Sequence, residues 1–153
     1  MPYIIALIVI IIDQYTKALA VAKLAKGSVP IINNVFHLTY VENTGAAFGI
    51  MQNSNTIFMI LITLILLAII FALHKYKPSQ KIVQICAGLV IGGAIGNLID
   101  RLFRGFVVDF FDFKLINYPV FNIADSCVVV SSIIFCIYIL FFDKKDDKNS
   151  ADI

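Results

Sequence analysis

Eighteen consecutive uncharged, mostly apolar residues, 56–73, constrain this chain more than any other feature. As an α-helix rising about 1.5 Å per residue, such a stretch spans roughly 27 Å, close to the hydrocarbon thickness of a bilayer. Only 14% of the chain is charged and 60% is hydrophobic, whereas soluble domains carry charge on about a quarter of their residues. The sequence therefore predicts an integral membrane protein.

Three further stretches are long enough to form membrane helices. Residues 82–99 are uncharged, and residues 119–142 contain Asp125 as their only charge. The third stretch lies at the N-terminus, at about 3–25. Polar residues interrupt it and no basic residue precedes it, and both features favour a retained helix over a cleaved signal peptide. The predicted fold is an all-α membrane protein, a single domain over 1–153 with four transmembrane helices at about 3–25, 55–74, 81–103 and 120–142, and a polar cytoplasmic tail over 143–153.

Four helices place both termini on one membrane face and two longer connections on the other. The basic residues are divided almost evenly between the faces, so charge favours cytoplasmic termini only slightly. Residues 33–43 alternate apolar and polar side chains, as in a strand with one apolar face. Six aromatic residues within 105–121 suit the interface between headgroups and acyl chains. We expect a small β-like element at the membrane surface, on the face away from the termini.

Ionisable side chains near the spans are few, and each requires a partner or a function, because a charge within a bilayer costs about 3 kcal/mol. Asp13 precedes Lys17 by four residues, the spacing of an intrahelical ion pair that would hold the first helix in place, with a direct chemical role as the alternative. Asn97, Asp100 and Arg101 share one face of the third helix. Such networks orient other groups more often than they react, and we therefore expect Asp100 to have a positioning role.

Several kinds of site are not indicated. Gly88, Gly92 and Gly96 recur every four residues within an apolar helix, which predicts close helix packing and not a phosphate-binding loop. The two histidines, His37 and His74, fall on opposite predicted faces, so no zinc site is expected. No basic tract suggests a nucleic-acid partner. If the chain is a hydrolase, carboxylates must do the chemistry without a metal or other cofactor.

Two carboxylates stand out. Asp125 begins the fourth helix, where Asn122 can cap the helix and the carboxylate favours the helix dipole. Capping does not explain Asp109, which lies between large apolar residues in a loop on the same face. Two such acids that meet would share a proton, which lets them activate water against a carbonyl. The helix dipole favours ionised Asp125, so we expect Asp109 to carry the proton.

Five motifs, in their order and spacing, resemble those of the lipoprotein signal peptidases, also called signal peptidase II: DQYTK (13–17), ENTGAAFGI (42–50), GGAIGNLIDR (92–101), VVDFF (107–111) and FNIADS (121–126). The resemblance covers essentially the whole chain apart from the tail. It implies an aspartyl endopeptidase of the bacterial inner membrane. Such an enzyme cuts the signal peptide from a prolipoprotein just before a diacylglyceryl-modified cysteine.

The resemblance also implies which residues form the site. The family's catalytic pair matches Asp109 and Asp125, and Asp100 matches a supporting residue. The remaining motif positions around the site match Asp13, Lys17, Asn43, Gly45, Asn97, Arg101 and Asn122. The active site would face outward and both termini would be cytoplasmic. The expected partners are diacylglyceryl-modified prolipoproteins and membrane lipids, and the chain is expected to act as a monomer.

Two functions other than a peptidase are compatible with membrane carboxylates or closely packed helices. A proton-coupled transporter also uses membrane carboxylates, but it would place them near mid-membrane, whereas Asp100, Asp109 and Asp125 are predicted near one face. A helix-packing factor would use the glycine ridge formed by Gly88, Gly92 and Gly96, but this function would leave the polar residues unexplained. Cleavage of a diacylglyceryl-modified prolipoprotein by the wild type, and its loss in Asp109→Asn and Asp125→Asn, distinguishes the peptidase from both.

Overall fold

The computed structural model describes residues 1–45 and 55–143 of this chain. Its four long helices are α1 (Pro2–Leu24), α2 (Asn55–Tyr76), α3 (Lys81–Phe103) and α4 (Ile123–Tyr138), the last of which continues as a π-helical turn over Ile139–Asp143. All four are long and apolar enough to cross a membrane, as the predicted fold class requires. Part of one motif, 46–50, and all but the first residue of the predicted tail, 144–153, lie outside the described residues.

The outer surface of the helices is apolar. Leu7, Phe71 and Leu140 each expose more than half of their surface, at 58%, 65% and 68%. Within α2 the only buried residue is Leu66. Such a surface would be unfavourable in water, but lipid tails are as apolar as these side chains. The pattern fits helices that pack together through narrow stripes and face lipid elsewhere.

The glycine ridge of α3 packs against α1. A Cβ atom at Gly88 would lie 2.6 Å from the carbonyl oxygen of Pro2, and one at Gly92 would lie 2.8 Å from that of Ala6. Both positions therefore need a residue without a side chain. The contacts advance in the same direction along both helices, so α1 and α3 run parallel, and the predicted packing role of the ridge is confirmed.

Helix α4 approaches α3 from the other side, where a Cβ atom at Gly93 would lie 2.5 Å from the carbonyl oxygen of Ala124. The helix begins at Ile123, three residues after the predicted start at 120. Asn122 ends the preceding extended segment because its side chain caps the helix and accepts a hydrogen bond from the Asp125 amide at 2.9 Å.

Three antiparallel strands form a sheet in the order β1 (Val29–Ile32), β2 (Phe36–Asn43) and β3 (Val107–Asp112). The strand predicted over 33–43 is confirmed as β2. The aromatic segment 105–121, predicted only as an interfacial loop, contains β3. This strand is almost wholly buried, and for that reason its sequence lacks the apolar–polar alternation that marks a half-exposed strand.

The sheet lies on the end of the helix bundle that is away from the termini. Ala20 and Leu24 of α1 form an apolar core with Val108 and Phe110 of β3. Phe121 pairs with β3 as an isolated bridge, since its carbonyl accepts hydrogen bonds from the amides of Phe110 and Phe111. The chain therefore enters α4 directly beside the strand that carries Asp109.

Candidate active site

Asp109 projects from β3 and is 1% exposed. Asn43 Nδ2, on the neighbouring strand, donates to its Oδ2 at 2.8 Å, and Asn122 Nδ2 donates to its Oδ1 at 2.7 Å. Burial, reinforced by the charge of Asp125, raises the pKa of Asp109 from 3.8 to about 7, although these two hydrogen bonds oppose the rise. A carboxyl group in this state can donate a proton near neutral pH.

Asp125 is the third residue of α4 and forms a capping box with Asn122. The Asn122 amide donates to Asp125 Oδ2 at 3.2 Å, and Asn97 Nδ2 donates to Oδ1 at 2.7 Å. These donors and the helix N-terminus stabilise the ionised carboxylate. The capping role that the sequence suggested for Asp125 is present, and it holds the carboxylate against Asn122, which also contacts Asp109.

Asn122 connects the two acids. Its side chain is fully buried, and besides Asp109 its Nδ2 lies within hydrogen-bonding distance of Asn97 Oδ1 at 3.1 Å and of the Val108 carbonyl at 3.3 Å. The same residue caps α4 through its Oδ1. One asparagine therefore fixes β3, α3 and the start of α4 relative to each other, and with them the two carboxylates.

A cavity of about 410 Å³ opens beside both aspartates. Asn43, Asn97, Arg101 and Tyr118 supply the other polar side chains at its wall. Its remaining lining is mostly apolar and comes largely from α2, α3, α4 and the segment before α4, including Ile62, Ile65, Val90, Ala94, Val128 and Val129. An extended peptide with apolar side chains and a water molecule beside the carboxylates match this lining in chemistry.

Lys17 is fully buried at the centre of a charged network beneath the cavity. Its Nζ lies 2.8 Å from Asp13 Oδ2, 3.0 Å from Asp100 Oδ2 and 2.8 Å from Asn97 Oδ1. The predicted pair of Asp13 and Lys17 is present, and the structure adds Asp100 and Asn97 to it. A buried lysine is tolerated only when such partners compensate its lost hydration.

The two carboxylates of this network also hold backbone groups next to the candidate catalytic acids. Asp100 Oδ2 accepts the Val108 amide at 3.1 Å, and Asp100 Oδ1 pairs with Arg104 at 3.2 Å. Asp13 Oδ1 accepts the Ala124 amide at 3.0 Å. Asp100 thus fixes the residue before Asp109, and Asp13 fixes the residue before Asp125, as expected of positioning residues.

Arg101 holds the chain segment that follows β2. Its Nη2 donates to the Gly45 carbonyl at 2.9 Å, and the Gly45 amide donates to Asn43 Oδ1 at 3.0 Å. The guanidinium carbon lies 4.8 Å from the centre of the Phe58 ring. Arg101, Gly45 and Asn43 therefore form a chain of contacts that ends at Asp109, and every site residue expected from the sequence lies in this region.

Two polar residues of the region were missed. Gln14 Nε2 donates to the Gly96 carbonyl at 3.0 Å and lies 3.3 Å from Asp13 Oδ2. Asn55, the first residue of α2, donates to the Arg101 carbonyl at 3.0 Å. Gln14 was recognisable as a second polar side chain beside Asp13 within an apolar helix. The sequence gives no corresponding signal for Asn55, which follows three other polar residues, 52–54.

The family model for Signal peptidase (SPase) II matches residues 5–141, most of the chain. The chain belongs to the signal peptidase II family. A relative from Clostridioides difficile (strain 630), a lipoprotein signal peptidase, is 51% identical over 150 residues and covers 95% of this chain and 99% of the relative. A lipoprotein signal peptidase from Halothermothrix orenii is 43% identical over 148 residues, 96% of this chain and 100% of the relative.

Solved structures agree with the signal peptidase II assignment. A bacterial membrane enzyme solved at 2.3 Å resolution superposes with a TM-score of 0.83 at 34% identity, over 97% of this chain and 90% of that one. A second, solved at 1.9 Å resolution, gives 0.82 at 35% identity and covers 93% of each chain. The signal peptidase II family is one of proteases, and membership in it favours a peptidase over a transporter or a packing factor.

Proposed function

We propose that this multi-pass membrane protein removes signal peptides from bacterial prolipoproteins by cutting before a diacylglyceryl-modified cysteine, with Asp109 and Asp125 as its catalytic pair. The observation that carries the proposal is the bridge formed by Asn122, which bonds to both acids at the wall of one largely apolar cavity. Two carboxyl groups held in this way can share one proton, the state in which an aspartyl peptidase activates water.

The proposed mechanism gives the two acids different roles. Asp125 is ionised, since it accepts hydrogen bonds from Asn97 and the Asn122 amide at a helix N-terminus. It takes a proton from the attacking water. Asp109, whose pKa is raised to about 7 by burial and by the charge of Asp125, is protonated below that pH. It donates this proton to the carbonyl oxygen as the tetrahedral intermediate forms. When the intermediate collapses, Asp125 passes the water proton to the leaving nitrogen, and Asp109 takes a proton back from a hydroxyl of the intermediate.

We place the site at the outer face of the cytoplasmic membrane and both termini in the cytoplasm. The start of α1 and the end of α4 lie at the end of the bundle opposite the sheet, because four successive helices cross in alternating directions. Lys75 at the end of α2, Lys77 in the short loop that follows and Lys81 at the start of α3 lie at that same end. Basic residues in short loops favour the cytoplasmic side, which supports this orientation.

We further propose that one chain is the active unit. Asp109, Asp125 and the polar side chains that hold them all come from a single chain. The substrate-binding cavity is likewise bordered by α2, α3 and α4 of that chain. No partner subunit is needed to complete the constellation.

The decisive experiment compares cleavage of a diacylglyceryl-modified prolipoprotein by the purified wild type and by Asp109→Asn and Asp125→Asn. The matched control is Asp112→Asn, which removes another buried carboxylate from the same strand. Asp112 pairs with Lys114 at 2.7 Å and accepts from Thr39 Oγ1 at 2.7 Å, away from the cavity. Both site variants should lose cleavage while the control retains it.

Two outcomes of this experiment would contradict the proposal. Undiminished cleavage by Asp109→Asn or Asp125→Asn would overturn the catalytic pair. Absence of cleavage by the wild type, with a substrate that a characterised lipoprotein signal peptidase cuts in parallel, would overturn the substrate. A prolipoprotein that lacks the diacylglyceryl group should be left intact, which tests the requirement for the lipid.

A further inference from the structure

A second cavity, of about 320 Å³, lies at the end of the bundle that is opposite the aspartates. It is formed where the start of α1 meets the end of α2 and the loop into α3, and it is bordered by Pro2, Tyr3, Leu73, His74, Lys77, Pro78 and Gln84. Gln84 Nε2 donates to the Pro78 carbonyl at 2.8 Å, which ties the loop to α3. The cavity therefore has walls from three helices and an ordered loop.

The charge around this second cavity is positive. Lys75, Lys77 and Lys81 are all exposed, and none forms an ion pair with a carboxylate among the side chains described in residues 1–45 and 55–142. Lys75 Nζ instead lies 5.4 Å from the centre of the Tyr76 ring. These lysines contrast with Lys114 on the opposite face, which is paired with Asp112 at 2.7 Å.

The start of α3 adds to the positive potential at the same place, whereas the end of α2 opposes it. Lys77 adopts a left-handed conformation, with φ of 43°, and ends α2 through a hydrogen bond from its amide to the Leu73 carbonyl at 3.1 Å. Helix α3 begins four residues later, and its N-cap residue, Gln80, provides no side-chain hydrogen bond. The first amides of a helix lack carbonyl partners within it and favour a negatively charged group.

The surface next to the second cavity is apolar. Tyr3 and Ile4 of α1 expose 48% and 66% of their surface, and Phe71 and Tyr76 of α2 expose 65% and 72%. A ligand held at the lysines would thus lie against lipid-facing helices. A free anion would use only the charged rim, whereas a phospholipid would place its phosphate at the rim and its acyl chains along α1 and α2.

We propose that this second cavity binds the phosphate group of an anionic phospholipid on the face that carries the chain termini. Lys77 and Lys81 attract the phosphate, and the exposed side chains of α1 and α2 contact the acyl chains. Clusters of lysine at a membrane surface bind anionic headgroups in this manner, each contributing roughly a fivefold gain in affinity. The site is separate from the aspartates, and its existence does not depend on the proposed peptidase activity.

The test uses the full chain in phosphatidylcholine nanodiscs that contain a minor fraction of phosphatidylglycerol. Native mass spectrometry counts the phosphatidylglycerol molecules retained by the wild type and by the double variant Lys77→Gln, Lys81→Gln. The matched control is Lys23→Gln, Lys26→Gln, which removes two exposed lysines at the opposite end of α1. Thermal unfolding of each variant verifies that the fold is intact.

The expected result is retention of phosphatidylglycerol by the wild type and the control, and a loss of roughly fivefold in affinity per lysine removed in the site variant. Equal retention by the site variant and the wild type would overturn the proposal. So would equal loss in the control, which would mean that only net charge matters. Displacement of the lipid by inorganic phosphate alone would show that the site takes the free anion and not the lipid.

Discussion

Asn122 Nδ2 donates to Asp109 Oδ1 at 2.7 Å, and this contact joins the strand that carries one acid to the helix that carries the other. The same asparagine is the N-cap of α4. Its two roles use different atoms, since Oδ1 caps the helix and Nδ2 reaches Asp109. Substitution can therefore separate helix stability from the geometry of the acids.

Asn122→Ser should keep α4 capped but lose the bond to Asp109, because serine is an effective N-cap with a shorter side chain. We expect kcat to fall about 100-fold, as displacement of a reacting group by about 1 Å does elsewhere, with little change in Tm. Asn122→Ala should lose the same activity and about 1 kcal/mol of stability as well. Cleavage kinetics and thermal unfolding measure the two effects, and wild-type kcat in either variant would contradict the bridging role.

Cleavage should decline as pH rises through about 7, because burial and the charge of Asp125 raise the pKa of Asp109 to about 7 and only its protonated form can donate. Asn43 donates to Asp109 and so stabilises the ionised form. Asn43→Ala should raise the pKa of Asp109 further and move the decline to higher pH. The measurement is kcat/KM against pH, with Thr39→Ala, which removes a contact to Asp112, as a control that keeps the wild-type profile. A decline moved to lower pH in Asn43→Ala would contradict the assignment.

Lys17→Met should destabilise the fold by about 3–5 kcal/mol, because Asp13 would remain buried without a cation and Asp100 would keep only the partly exposed Arg104. Lys23→Met, which removes an exposed lysine from the same helix, should have little effect. Thermal unfolding in detergent and the yield of folded protein are the measurements. Adding Asp13→Asn and Asp100→Asn to Lys17→Met should restore part of the stability. If Lys17→Met alone left the protein as stable as the wild type, the network would not be a buried ionic one.

Gly93→Ala should reduce both stability and cleavage. The added methyl group would meet the Ala124 carbonyl at 2.5 Å, and α4 must move away from α3 to admit it. Asp125 would then be displaced from Asn97, its donor at 2.7 Å. Ala18→Leu, which adds a larger group on an exposed face of α1, should leave both properties near wild type. Thermal unfolding and cleavage kinetics together test whether helix packing sets the position of Asp125.

Part of the site was predictable from local sequence. Asp13 and Lys17 have the spacing of an intrahelical pair, and Asn122 with Asp125 has the spacing of a helix cap, because both depend on residues within one helical turn. The three glycines spaced four residues apart in α3 likewise identified a packing face. Asn55 was missed because its importance depends on Arg101, which is distant in sequence. Gln14 was recognisable as a polar residue within an apolar helix, but its partner Gly96 was not.

The sheet was predicted only in part. Strand β2 alternates because one face is apolar, whereas β3 is buried on nearly all sides and β1 is exposed throughout. Neither β1 nor β3 therefore has the period of two that identifies a half-buried strand. The pairing of β3 with β2 depends on contacts between segments more than sixty residues apart, such as Val41 with Asp109, whereas β1 pairs with β2 over a short separation, as in Val29 with Leu38.

The sequence by itself determined that this chain lies in a membrane and that its few charges are the groups to explain. Long uncharged stretches form helices in lipid because every backbone group must be hydrogen-bonded within its own segment. Which charges meet was decided only by the tertiary structure. Glycine contacts set the separation of α1, α3 and α4, and the bridge at Phe121 brings α4 beside β3. The meeting of Asp109 and Asp125 is therefore a property of packed helices and a paired strand, not of any one segment.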